Sequence, residues 1–258
     1  MEVLLIGCGR MGGALARGWR ASHRVLAFDP MADALPDGVE RIEALEALAP
    51  DDARVIVLAV KPQSFAHVAP ALRPLAMDGA LIVSIMAGVT LAGLEAALDT
   101  RRAIRAMPNT PAAIGRGITA AIAGPGTRAG DRDLARDLLR PAGDVVWAEA
   151  EAQMDAITAL SGSGPAYFFR FAEALAAAGG KAGLSPDLAM RLARATFTGA
   201  AALAEADPAA LDELRRQVTS PGGTTAAGLA VMDAGKAIDR LAADMLTAAA
   251  ARSRELAH

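Results

Sequence analysis

The sequence has 258 residues, 53% of them hydrophobic and only 3% aromatic, with a formal net charge of −3. That length holds one large domain or two modest ones. No Lys/Arg cluster supports nucleic-acid binding, and no uncharged apolar run is long enough to span a membrane.

A single cysteine, Cys8, excludes an intramolecular disulfide and fits a reducing, cytoplasmic setting. The first motif begins at residue 3, so no signal or transit peptide is expected. That motif is Val3-Leu4-Leu5-Ile6-Gly7-Cys8-Gly9-Arg10-Met11-Gly12. Four apolar residues predict a buried strand, a Gly-x-Gly-x-x-Gly turn follows, and Gly13 to Arg20 predicts a helix. This is the setting a dinucleotide fingerprint requires. Gly7 permits the tight turn, Gly9 lets backbone approach a pyrophosphate, and Gly12 lets helix and strand pack closely. The helix start then faces the phosphates with free N–H groups and its positive dipole end. Cys8 reads as a small space-filling residue within the turn.

Arg24 to Phe28 predicts a second strand ending in Asp29, about twenty residues past the fingerprint, where a carboxylate accepts hydrogen bonds from adenosine ribose hydroxyls. A carboxylate there repels a 2′-phosphate and leans towards NADH. The alternative is a plain Asp-Pro turn with Pro30. Residues 31–53 show short helical patterns broken by Pro36, Gly38 and Pro50. Arg54 to Val60 is a continuous apolar run, as a parallel strand buried on both faces requires. Because ligands of such sheets sit at the carboxyl ends of strands, Ala59, Val60, Lys61 and Pro62 should line the crevice. A helix over 64–75 leads to a strand over 80–85, whose end, Met86-Ala87-Gly88, reaches the same rim. Thr90 should cap a helix over 91–98. A strand over 103–106 ends in Met107-Pro108-Asn109-Thr110-Pro111, which reads as a stiff rim loop or a plain rigid turn. A strand over 117–123, a helix over 128–139 and a short strand over 145–147 follow.

The βα alternation stops there, and Glu149-Ala150-Glu151 marks the junction. The fold class is therefore α/β, with an N-terminal Rossmann dinucleotide-binding domain over 1–150 and an all-α domain over 151–258. Helices are expected over 152–160, 165–179, 186–205, 208–218 and, as one long element, about 224–256. Pro165, Pro186, Pro208 and Pro221 lie at or near helix starts, as Pro at the first helical turn should. These helices carry more apolar surface than a thin five-helix layer buries alone. That implies a dimer interface, with an intramolecular bundle as the alternative.

The chemistry is constrained by what is missing. None of His23, His67 and His258 lies near the predicted rim or shows metal spacing, and no Cys, His or carboxylate cluster suggests a metal. The only tyrosine, Tyr167, is followed four residues on by Phe171, so a Tyr-x-x-x-Lys acid pair is absent. Hydride transfer to a C=N bond fits such a site, because an iminium carries its proton before reduction. Two glycine-rich polar segments interrupt the helical half: Leu160-Ser161-Gly162-Ser163-Gly164-Pro165-Ala166-Tyr167 and Val218-Thr219-Ser220-Pro221-Gly222-Gly223-Thr224-Thr225. The second reads as a carboxylate-binding helix start, with a Thr-capped helix–helix loop as the alternative.

Gly7 to Gly12, Ala59-Val60-Lys61-Pro62-Gln63, Met107 to Pro111, Leu160 to Tyr167 and Ser220 to Thr225 occur in an order and spacing that resembles the pyrroline-5-carboxylate reductase family over nearly the whole chain. The resemblance implies reduction of 1-pyrroline-5-carboxylate to L-proline by NAD(P)H, the last step of proline biosynthesis. It implies a C-terminal helical domain that interlocks with a partner's to form a homodimer, and larger assemblies up to a decamer. Carried onto this chain, Gly7, Gly9, Arg10, Met11, Gly12, Asp29, Ala59, Val60, Lys61, Pro62 and Ala87 contact the cofactor. Glu151, Ser220, Gly223, Thr224 and Thr225 contact the cyclic imino acid, and Thr225 bonds the ring nitrogen. One departure stands out. Many members carry small or basic residues after the second strand and favour NADPH. Here Asp29 stands there, with no Arg until Arg41. Two other readings of the residues stay open: a β-hydroxyacid-type dehydrogenase using Lys181 as general acid, and a dinucleotide sensor without turnover.

Overall fold

The computed structural model describes residues 1–49 and 54–256. Pro50 and His258 lie outside them. The chain divides into two compact units, residues 1–163 with 249–258, and residues 164–248.

The first unit is built on one eight-stranded sheet. Its strands are β1 (Glu2–Ile6), β2 (Arg24–Phe28), β3 (Val39–Arg41), β4 (Val55–Leu58), β5 (Leu81–Ser84), β6 (Ala103–Met107), β7 (Gly117–Ala123) and β8 (Gly143–Trp147). The spatial order is β3-β2-β1-β4-β5-β6-β7-β8. Every pairing is parallel except that of β6 with β7. Helix α1 (Arg10–Trp19) connects β1 to β2, α2 (Pro62–Met77) connects β4 to β5, and α3 (Leu91–Leu98) connects β5 to β6. Between β6 and β7 runs only a short 3₁₀ segment, Thr110–Ile114. Without a crossover helix the chain returns directly, so β7 runs antiparallel. Helix α4 (Asp131–Leu139) then carries it to β8.

Strands β1, β4 and β5 are buried on both faces, which is why their sequences are unbroken apolar runs. One face packs Leu4, Ile6, Ile56, Leu58 and Ile82 against Leu72, Leu75 and Leu94 of α2 and α3. The other packs Val3, Leu5, Val55, Val57 and Val83 with Leu15, Trp19, Leu138 and Leu139 of α1 and α4. The Trp19 indole N–H reaches the Leu138 carbonyl at 2.6 Å, so its polar edge is satisfied inside the core.

Residues 31–49 depart from the helical expectation. They form β3 and a single 3₁₀ turn, Leu45–Ala47. Pairing along the open edge of β2 outweighs the local pattern there. The helix expected over 152–160 also resolves differently, into a 3₁₀ turn (Glu151–Gln153), α5 (Met154–Ile157) and a π-helical turn (Thr158–Gly162).

The second unit is helical. Helix α6 (Gly164–Lys181) and α7 (Pro186–Ala206) form a hairpin, and α8 (Leu211–Gln217) and α9 (Thr224–Asp233) follow. The single long helix expected to the C-terminus is broken. Residues 234–236 are 3₁₀ with Gly235 at φ 57°, and α10 (Ala237–Glu255) begins beyond them, its last turns counted with the first unit. A left-handed residue cannot continue a right-handed helix, so the helix ends there and a new one begins. Phe197 stacks on Phe168 at 6.2 Å and meets Phe169 edge-on at 6.1 Å. No helix among the described residues is long and apolar enough to cross a membrane.

Candidate functional site

The sheet's strand order reverses direction of growth at β1, flanked by β2 and β4, and the crevice at the carboxyl ends of these strands is where such sheets bind ligands. Gly7 leaves β1 at φ +92°. A Cβ there would stand 2.8 Å from the Ala59 carbonyl oxygen, so the turn lies directly on the end of β4. A Cβ at Gly12 would collide with the Gly7 carbonyl, which is the close helix–strand approach that position serves. At Gly9, by contrast, a Cβ would meet nothing within 4 Å. Gly9 is the N-cap of α1, no side chain caps that helix, and its first turn holds no acidic residue. Arg10 and Met11 are the first two residues of α1. The residues thus leave an open, uncapped and positively polarised helix start, which fits the pyrophosphate of a dinucleotide.

Asp29 follows β2 and is held tightly. Its Oδ2 accepts the Cys8 backbone N–H at 2.7 Å and its Oδ1 accepts the Met31 N–H at 3.0 Å. Ala59 and Val60 follow β4, Lys61 is the N-cap of α2 and Pro62 its first residue, where a missing N–H costs nothing. Ala87 is exposed beyond β5. The structure therefore gathers the residues proposed for the cofactor at one sheet rim. Among the described residues no group of three or more His, Cys, Asp or Glu side chains is placed to hold a metal.

Glu151 opens the 3₁₀ turn after β8. Its Oε1 accepts from Arg105 Nη1 at 2.9 Å and from the Leu91 backbone N–H at 2.8 Å. Arg105 is 6% exposed, in mid β6. The carboxylate thus both neutralises a buried guanidinium and satisfies an orphan donor at the start of α3. Reading along the chain missed this pair, although an arginine inside an apolar strand is itself a signal for a buried partner. Asn109, in the rim loop, has a role the local pattern does not reveal. Its Oδ1 accepts the Ile118 N–H at 3.0 Å, and its Nδ2 donates to the Ser161 hydroxyl at 3.4 Å. It ties the rim loop to the π-helical turn, and such turns are frequent at functional sites.

In the second unit, Ser220, Gly223, Thr224 and Thr225 lie together at the start of α9. Gly222 is left-handed at φ +69°, and Gly223 is the N-cap, with no side chain accepting from the first turn. The Gly223 N–H donates to the Ser220 carbonyl at 3.0 Å, and a Cβ at Gly223 would strike the Ser220 hydroxyl oxygen. Ser220, Thr224 and Thr225 are exposed. Hydroxyls beside an uncapped helix start make a donor-rich surface suited to a carboxylate. Lys181 is the exposed last residue of α6.

Residues 151–256 match the family model described as pyrroline-5-carboxylate reductase dimerisation, and residues 2–88 match that described as NADP oxidoreductase, coenzyme F420-dependent. A pyrroline-5-carboxylate reductase of Pseudomonas aeruginosa is 43% identical, the alignment covering 99% of this chain and 97% of the relative. The structure of a pyrroline-5-carboxylate reductase from Coxiella burnetii superposes with a TM-score of 0.91 at 33% identity, covering 99% of this chain and 98% of that one. The pyrroline carboxylate reductase of Plasmodium falciparum, solved with NADP bound, superposes with a TM-score of 0.81 at 27% identity, covering 100% of this chain and 98% of that one.

Proposed function

This chain belongs to the pyrroline-5-carboxylate reductase family, and on that premise we propose which of its residues perform the reaction. The protein is an NAD(P)H-dependent oxidoreductase that reduces 1-pyrroline-5-carboxylate to L-proline, the closing step of proline biosynthesis. Residues 1–150 serve as the nucleotide-binding domain and residues 151–258 as the dimerisation and substrate domain.

The observation that carries the assignment of the substrate site is the start of α9, opened by Gly222 and Gly223 and left without a side-chain cap. The first N–H groups of α9, with Ser220 and Thr224, hold the substrate carboxylate. Thr225 bonds the ring nitrogen and fixes the C=N carbon for attack. Gly7, Gly9, Arg10, Met11 and Gly12 hold the pyrophosphate, Asp29 the adenosine ribose, and Ala59, Val60, Lys61, Pro62 and Ala87 the nicotinamide half. The bound nicotinamide supplies the hydride. Because the iminium form already carries its proton, the chain orients and desolvates rather than supplying a strong acid. Glu151 is a further contact for the substrate, held in place by Arg105. The protein is a homodimer through its C-terminal helices, able to assemble further to a decamer, and works in the cytoplasm. The exposed apolar residues of α6 and α7 support the dimer.

Thr225→Ala tests the reading. The kcat/KM for pyrroline-5-carboxylate should fall about 100-fold, the size of losing one well-placed polar contact. The Kd for NADPH, read by fluorescence titration, should stay as in the native enzyme. Unchanged kinetics would remove Thr225 from the site.

A further inference from the structure

Arg41 stands twelve positions beyond Asp29 in the chain, yet the pairing of β3 with β2 returns it to the same place. Arg41 is in register with Ala27, two residues before Asp29. Its Nη1 donates to the Asp29 carbonyl at 3.0 Å and its Nη2 to the Ala32 carbonyl at 2.8 Å. Two of its five N–H donors are used, and three remain. The guanidinium is exposed, and among the described residues it has no carboxylate partner. The neighbouring Glu40 is committed to Arg24, at 2.9 and 2.7 Å. The Asp29 carboxylate is itself held between the glycine turn, through the Cys8 N–H, and its own turn, through the Met31 N–H. The field of Arg41 reaches that turn. Burial, and after it Asp29, pushes the Cys8 thiol up, while Arg17 and Arg41 pull it down.

We propose that Arg41 forms a 2′-phosphate subsite, brought by β3 to the end of β2, so that the chain takes 2′-phosphorylated adenine dinucleotides despite Asp29. The carboxylate alone would reject a phosphate dianion. A clamped guanidinium beside it offsets that charge and offers donors in the fork geometry phosphates favour. Both nucleotides are then accepted, Asp29 contacting the ribose of NADH and Arg41 the phosphate of NADPH. The proposal rests on the nucleotide reading of the glycine turn.

Calorimetric titration of the full-length protein with 2′,5′-ADP and with 5′-ADP separates the two. Arg41→Ala should weaken 2′,5′-ADP about tenfold or more, the scale of a charged hydrogen bond, and leave 5′-ADP within about twofold. Arg41→Lys, which keeps the charge, should restore part of the 2′,5′-ADP affinity. In turnover, Arg41→Ala should raise KM for NADPH with kcat and the NADH parameters kept. Equal weakening of both nucleotides would mean that Arg41 only braces the 29–32 turn, and no change in either would remove it from the site. Both results overturn the proposal. Failure of the native protein to bind either nucleotide would instead sink the reading of the glycine turn.

Discussion

In the first unit, Leu4, Ile6, Ile56, Leu58 and Ile82 are all fully buried, whereas in the second Phe168, Phe169, Phe171, Leu175 and Leu192 remain between 48% and 61% exposed. The two regions are similarly apolar in sequence, so composition is not the difference. A doubly wound sheet covers both of its own faces with helices and closes its core within one chain. A helical hairpin with short helices around it does not enclose its apolar stripes. Inside the second unit only Gly164, Ala176, Ala189 and Leu214 are buried among the described residues. Such a face is stable in water when another surface covers it. The first unit thus closes its own core, whereas the second leaves apolar faces open, as the proposed dimer requires.

Leu192→Asp attacks that difference most severely. In a two-fold dimer the change is made twice, so the loss is about 3–6 kcal/mol of association for the apolar burial alone. Sedimentation velocity should show monomers at micromolar concentration. A dimer of native stability would mean that this face of α7 is not the interface. Leu4→Ala strikes the other unit. A fully buried leucine cut back to Ala costs about 2–5 kcal/mol, read by chemical denaturation, and the assembly state should not change. If Leu4→Ala dissociated the protein instead, the contrast between the units would fail.

The smallest expected effect sharpens the account of the first unit through pH. Asp131, at the start of α4, accepts Arg102 Nε at 2.9 Å, Arg102 Nη2 at 2.6 Å and the Arg128 N–H at 2.7 Å. Burial alone would raise its pKa, but these donors outweigh it and hold the carboxyl below its usual value. The folded value is thus lower than the unfolded one. The stability this gives is complete above the ordinary aspartate range and is lost as pH falls through the folded value. Denaturation series at acid pH should show that loss, and Asp131→Asn should flatten it. An unaltered acid slope in the variant would assign the loss to other groups.

Local chemistry made much of the molecule legible in one dimension. The strand, glycine turn and helix at residues 3–20, the apolar runs of β4 and β5, and the Thr90 cap, whose hydroxyl accepts the Gly93 N–H at 2.9 Å, each depend on residues within a few positions of one another. So does the uncapped start of α9. The family resemblance follows from the order of such short segments, and the apolar surface of the helical half is excessive only because a thin helical layer has so little interior to hide it in. What the sequence could not determine depends on pairings between distant residues. No local pattern says that residues 39–41 will extend the sheet as β3, and the return of Arg41 to Asp29 follows from that pairing alone. The meeting of Arg105 with Glu151, and of Asn109 with Ser161, likewise joins positions 46 and 52 residues apart. Glycine also stands inside α7 at Gly199 and inside α9 at Gly228, so Gly235 by itself does not say that the helix breaks there. Short-range propensity sets which elements can form. Which side chains they bring together is decided by long-range packing, whose partners leave no trace in the neighbouring residues.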